Sequence, residues 1–110
     1  MKTYKPGEIV EAIFPFEDSS ESKLRPALVI RDLGDSLFLL KITSKHKNRE
    51  WDVELPKDNF NGLSVNSVIQ IDRGIKQKKS ELIDVIRRGI INPIQLAVVK
   101  DKLKKYIQTR

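Results

Sequence analysis

A proline set directly before an apolar run constrains this chain more than any other feature. The run is Leu24-Arg25-Pro26-Ala27-Leu28-Val29-Ile30. Pro26 has no N–H to give to a strand ladder, and it biases the residue before it toward extended backbone. Such a proline fits the opening of a strand and not its middle. Arg25 therefore stands at the mouth of a buried strand, on a fixed base, with its guanidinium directed into a cleft.

The remaining segments arrange themselves around that strand. Lys5-Pro6-Gly7 reads as a turn, and residues 8–14 as a short apolar strand stopped by Pro15. Residues 16–23, with Asp18, Ser19, Ser20, Glu21 and Ser22 together, have the composition of a surface loop. The Arg-Pro strand occupies residues 27–32, and Gly34-Asp35 turns the chain. Residues 37–43 form the next strand, whose unbroken apolar start implies burial on both faces. A polar, positively charged loop covers 44–50, and residues 51–55 alternate as a half-exposed strand ended by Pro56. Asn61-Gly62 is a turn signal. Residues 67–73 alternate again, with Gln70 and Asp72 on one face and Ile69 and Ile71 on the other. Residues 74–80 read as a third basic loop and 82–86 as a short sixth strand.

One helix closes the chain. Asn92 is a good N-cap and Pro93 suits the first helical position. Leu96, Val99, Leu103, Tyr106 and Ile107 fall at helical spacing on one side, with Lys100, Lys102, Lys104 and Lys105 mostly on the other. Six short strands and a terminal helix indicate a mainly β (α+β) fold in one domain over residues 1–110: a small, bent antiparallel sheet or partial barrel with the helix across one opening. Strands that are apolar throughout need cover on both faces, which points to a homodimer.

Composition narrows the function. Lys and Arg outnumber Asp and Glu by 21 to 15, a net charge of +6, which favours an anionic partner such as nucleic acid. The absence of Cys excludes disulfides, thiol catalysis and thiolate metal sites. The start of the chain lacks the apolar core of a signal peptide and no apolar run is long enough to span a bilayer, so a cytoplasmic protein with no membrane partner is expected. His46 is the single histidine and sits in a loop, the carboxylates are scattered, and no phosphate- or dinucleotide-binding glycine pattern occurs. No metal site and no cofactor is expected.

Arg25, hydroxyls and basic loops remain. That set suits the cleavage of RNA, which carries its own nucleophile in the ribose 2′-OH. A catalyst need only orient it, stabilise charge on the phosphorus oxygens and help move two protons. Arg25 can hold two phosphate oxygens with its planar fork but is a poor base. Thr43 ends the following strand, where its hydroxyl could meet the phosphate or the 2′-oxygen. Taken alone, Arg25 more often serves as a structural ion-pair partner and Thr43 as a plain strand-end hydroxyl. Lys45, Lys47 and Arg49 cluster in one loop, and Arg73, Lys76, Lys78 and Lys79 in another. If both rim the cleft, they form a positive groove for a single strand. Phe16 and Trp51 are candidates for stacking on bases, Trp51 being equally suited to a partly buried strand position.

The segments 5–10, Phe14-Pro15-Phe16 and 22–30 resemble the opening of the PemK/MazF family of toxin–antitoxin ribonucleases. Lys41-Ile42-Thr43-Ser44 is similar to the family's second motif, residues 67–72 to its third, and Asn92-Pro93 onward to its C-terminal helix. The resemblance implies an SH3-like barrel, a homodimer, and sequence-selective, metal-independent cleavage of single-stranded RNA. It also implies a cognate antitoxin with an acidic or amphipathic tail that covers the RNA groove, and DNA binding by the complex of the two. Arg25 and Thr43 match the family's catalytic pair, and Ser44 follows as an RNA contact. Asp72 matches an acidic position that some members use catalytically and others structurally. Gln70 stands where some members carry an Arg, and the loop at 19–22 lacks the His of those same members, so the general base is unassigned. A same-fold toxin that binds a protein such as gyrase, or a non-catalytic binding barrel, are the alternative functions.

Overall fold

Hydrophobic alternation sets the architecture. The computed structural model describes residues 2–13, 24–45 and 49–109. Its strands are β1 (Glu8–Ile13), β2 (Arg25–Asp32), β3 (Ser36–Thr43), β4 (Asp52–Leu55), β5 (Ser67–Lys78) and β6 (Ile83–Ile90). A short 3-10 turn covers Lys79–Glu81, and α1 spans Pro93–Gln108. The strands make one antiparallel sheet in the order β4-β5-β3-β2-β1-β6.

Neighbouring residues of the central strands enter two different cores, because successive side chains leave a strand on opposite faces. Ile9, Leu28, Leu40 and Ile42 join Leu55, Ile69, Ile71 and the helix residues Val99 and Leu103 in one core. Val10, Ala27, Val29, Leu37 and Leu39 join Tyr4 and Ala12 in the other, flanked by Ile75, Leu82 and Val85. The expected two-faced burial is therefore present, and a single chain supplies cover on both sides. The need for cover is thus no argument for a second copy.

Register shifts at Ile9/Val10, Glu11/Ile13, Val29/Arg31 and Leu40/Lys41 mark bulges, which deepen local twist and bend the sheet. Residues 56–66 leave β4 and cross to the opposite edge, where Phe60 O accepts the Ile90 N–H at 2.9 Å. Two glycines permit this approach. A Cβ on Gly89 would lie 2.0 Å from Phe60 O, and one on Gly62, which has φ +70°, would lie 2.1 Å from Arg88 O. Asn61, fully buried, organises the crossing segment. Its Oδ1 accepts from Asp58 N at 3.3 Å and Leu63 N at 3.0 Å, while its Nδ2 donates to Pro56 O at 2.9 Å. The bent sheet with this strap across its open side is the partial barrel that the strand pattern implies.

The helix begins where expected: Asn92 Oδ1 accepts from Ile94 N at 2.8 Å and from Gln95 N at 3.4 Å, with Pro93 at the first position. Val99 and Leu103 are buried and Leu96 and Tyr106 half-buried. Ile107, expected on the same stripe, is 58% exposed. It lies one turn beyond buried Leu103, in the last turn of the helix.

Three further boundaries differ from expectation. Residues 74–78 are not a loop: β5 continues to Lys78, with Phe38 opposite Lys76 and Ser36 opposite Lys78. The period of two persists there, with Gln77 buried between exposed Lys76 and Lys78, but the lysine-rich composition hides it. β6 runs on to Ile90 because it keeps pairing with β1, with Arg87 opposite Val10 and Ile90 opposite Glu8, and the Arg87–Glu8 and Arg88–Glu11 ion pairs accompany it. β2 opens at Arg25, so Pro26 is its second residue, opposite Glu11. Phe14, Pro15 and the expected loop over residues 16–23, with Phe16, lie outside the described residues.

Candidate functional site

An open cleft of about 440 Å³ lies where the ends of β2 and β3 meet the 56–66 strap. Strand pairing puts its chemistry together. Ala27 faces Lys41 and Leu28 faces Leu40, and this register continued by two residues sets Arg25 across from Thr43. On the other side Lys41 faces Gln70 and Thr43 faces Val68. Lys41, Thr43 and Gln70 therefore share one face of the sheet, and all three line the cleft with Arg25, Ser44 and Lys45.

Arg25 is exposed and, among the described residues, has no ion-pair partner. Its backbone is held by pairing with Ala12 of β1. Thr43 is half-buried, and its Oγ1 accepts the Lys45 N–H at 3.2 Å. A hydroxyl has two lone pairs and one proton, so one lone pair and the proton remain for a ligand. A guanidinium and a hydroxyl side by side on neighbouring strands at the same cleft can bind one tetrahedral anion together.

The other basic residues separate into distinct groups. Lys45 is at the cleft. Arg49 is committed elsewhere: its guanidinium bonds Asp72 Oδ2 and stands 3.8 Å from Asp52 Oδ1. Asp52 has a side chain only 6% exposed, and neither of its carboxylate oxygens accepts a hydrogen bond. Arg49 thus balances two carboxylates, and Asp72 is an anchor for Arg49 that is not among the cleft-lining residues. Arg73 is exposed on β5 beside Asp72. Lys76 and Lys78 pair with the far end of β3, five and seven residues from Thr43, which at the rise of a strand is roughly 17 and 23 Å away. Lys79 donates to Asp32 at 2.9 Å and to Lys2 O at 2.7 Å, with Tyr4 beneath it. With its N–H groups, this clasp holds Asp32 well below the usual carboxylate range, at about 2: the Lys79 ammonium has the largest effect, followed by the Tyr4 and Gly34 amides. The predicted second basic loop is therefore not at the cleft. His46 and Lys47 lie outside the described residues. Trp51 packs edge-on against Tyr106, ring centres 5.0 Å apart, so its ring serves the helix contact.

Several cleft residues were not anticipated from the sequence. Lys41 carries a detectable signal, since it precedes Thr43 by two residues on one strand and must share its face. Leu63, Ser64 and Val65 reach the cleft through the strap, Ser67 at the start of β5, and Glu11 through β1, where it pairs with Arg88 at 3.0 Å. Those depend on long-range topology.

The model of PemK-like, MazF-like toxins of type II toxin–antitoxin systems matches residues 5–107, and the chain belongs to that family. Among solved structures it is similar to the MazF of Deinococcus radiodurans, with TM-score 0.77, 21% identity, and coverage of 98% of this chain and 99% of that one. It is also similar to an endoribonuclease in complex with its cognate antitoxin from a mycobacterial species, at TM-score 0.75 and 12% identity, covering 98% of both chains. A third likeness is to the Mycobacterium tuberculosis toxin MazF-mt6, at TM-score 0.68 and 16% identity, covering 94% of this chain and 97% of that one. No curated protein matches the chain. At these identities the structural likeness speaks to the fold. No helix among the described residues is long and apolar enough to cross a membrane.

Proposed function

We propose that this toxin cuts single-stranded RNA at selected sequences, without a metal ion, by attack of the ribose 2′-OH on the adjacent phosphorus. The O2′–P bond forms and the P–O5′ bond breaks. The 2′ proton is released, the 5′ oxygen takes one up, and the products carry a 2′,3′-cyclic phosphate and a 5′-OH. Arg25 stabilises the charge that builds on the non-bridging oxygens, and the Thr43 hydroxyl donates to the phosphate from the opposite strand. Ser44, Lys45 and Gln70 extend the contact along the strand. The observation that carries this reading is the β2–β3 register, which brings an exposed arginine with no partner among the described residues opposite a hydroxyl at an open cleft. Membership of a toxin family known for endoribonucleases supports it. The same positive cleft suits the acidic tail of a cognate antitoxin, and a homodimer is the assembly proposed for the active toxin.

The test is incubation of the pure protein with a long single-stranded RNA in EDTA, beside Arg25→Ala. Specific cuts that persist in chelator, leave cyclic phosphate or 3′-phosphate ends and fall by about 10²-fold or more in the variant are expected. A folded, antitoxin-free protein that cuts nothing would refute the reading and favour a toxin that binds a protein target.

A further inference from the structure

The cleft is not polar throughout. Leu24, directly before Arg25, and Val65, on the strap, both line it, and they are 38% and 50% exposed. Val65 is held in place: Ser67 Oγ donates to its carbonyl at 3.1 Å, and the Lys57 N–H donates to Asn66 Oδ1 at 3.0 Å, tying the two ends of the strap together. Apolar surface held open in a phosphate-binding cleft gains when a ligand covers it. Of the parts of a single RNA strand, only the flat face of a base does so. A base turned out of the strand is recognised by contact on its face and hydrogen bonds on its edge.

Gln70 supplies the groups for the edge. It is half-buried, lines the cleft and is held in the ladder between Lys41 and Asp52. Thr43 faces Val68, two residues from Gln70, so Gln70 is the diagonal neighbour of Thr43, roughly 7–8 Å away at the backbone. Its amide offers N–H donors beside a carbonyl acceptor, and among the described residues it bonds to no other side chain. A donor next to an acceptor matches adenine, whose N6 amino group adjoins the N7 lone pair, whereas the same edge of guanine carries two acceptors.

We propose that Gln70, Leu24 and Val65 form a base-reading subsite beside the cut phosphate. Leu24 and Val65 give the base apolar contact, the Gln70 amide bonds its edge, and adenine is the base that fits. The inference rests on the ribonuclease reading and names residues that select the sequence.

The experiment uses short single-stranded RNAs in which each position around the cut carries each base in turn. Single-turnover cleavage is measured on the unmodified RNAs and binding on 2′-O-methylated copies. The proteins are wild type, Gln70→Leu, Leu24→Ser, Val65→Ser and Lys76→Met, each checked for folding by thermal melting. Wild type should favour adenine over guanine by about tenfold or more at one position next to the cut. Gln70→Leu should lose that preference and keep those at other positions. Removing the base at that position should weaken binding by wild type more than binding by Leu24→Ser or Val65→Ser. Lys76→Met should match wild type throughout. A folded Gln70→Leu protein with every wild-type preference intact would overturn the reading by Gln70. An equal loss on base removal in wild type and both serine variants would overturn the apolar contact. Loss of a preference for some other base would overturn the assignment to adenine. A wild type that binds but cuts nothing refutes the ribonuclease reading, while base preference in binding still decides whether the subsite exists.

Discussion

Asn61 is the residue through which fold and cleft are most directly joined, and its replacement by alanine tests that link. The side chain is fully buried and makes three hydrogen bonds, two accepted from the backbone of Asp58 and Leu63 and one donated to Pro56 O. Each is worth about 1 kcal/mol net, and a buried partner left unpaired costs a further share of its desolvation. Pro56 and Asp58 are exposed enough for water to replace the lost side chain, and the 3.3 Å bond from Asp58 is the weakest of the three. Leu63 N is the group most dependent on Asn61. A net loss of about 2–3 kcal/mol follows. For a domain of this size that lowers the melting temperature by roughly 10–15 °C. Urea unfolding should show the same loss with an unchanged m value, since the surface exposed on unfolding is nearly the same. Because the strap brings Leu63, Ser64 and Val65 to the cleft, RNA cleavage at a temperature where the variant is folded should also fall. Asn61→Asp keeps the acceptor but loses the Nδ2 donor and buries a carboxylate beside the Pro56 carbonyl, so it should be no better than alanine. An Asn61→Ala protein melting within about 3 °C of wild type would refute the view that these bonds hold the strap.

Arg49→Ala leaves Asp52 and Asp72 without their cation; because Arg49 is 27% exposed, solvent softens the cost to about 2 kcal/mol. Chemical denaturation should show that loss and its partial recovery when Asp52→Asn is added, while the salt slope of RNA binding stays at the wild-type value; a slope lowered by about 0.7 would instead make Arg49 a phosphate contact. Asp32, held at about 2 by Lys79 and two amides, titrates below its unfolded value, so protonation opposes folding. Its contribution is present above about pH 4 and is lost as pH falls toward 2. Asp32→Asn should therefore flatten the acid limb of a stability–pH profile in that window, and an unchanged limb would place the acid sensitivity elsewhere.

The strands were legible wherever alternation or an unbroken apolar run coincided with apolar composition, as in β1, β2 and β3. They were misjudged where the same alternation was written in charged residues. Ile75 and Gln77 point inward from β5 as regularly as Ile69 and Ile71 do, but Lys76 and Lys78 between them read as loop. The continuation of β6 depends on pairing with β1, a strand nearly eighty residues away. No local pattern contains that pairing. The helix, by contrast, announces its start chemically, through a capping side chain and a proline at the first position.

The site divides along the same line. Arg25 and Thr43 belong to two consecutive strands joined by a tight turn at Gly34, so the hairpin register alone brings them together once the strand ends are known. Net charge, on the other hand, says that cations are in excess but not which of them are available. Arg49 and Lys79 are the clearest cases: both occur in lysine- and arginine-rich stretches, and both are held by carboxylates of other strands. Lys76 and Lys78 are uncommitted in sequence yet stand at the wrong end of β3. Removing these four from the groove leaves Arg25, Lys41 and Lys45 as the cations lining the cleft among the described residues. On the proposed ribonuclease reading, these residues predict a short phosphate footprint. Affinity for a long strand must then come as much from the walls supplied by the strap and by Gln70 as from charge, so sequence preference should be read there and salt dependence at the three cations.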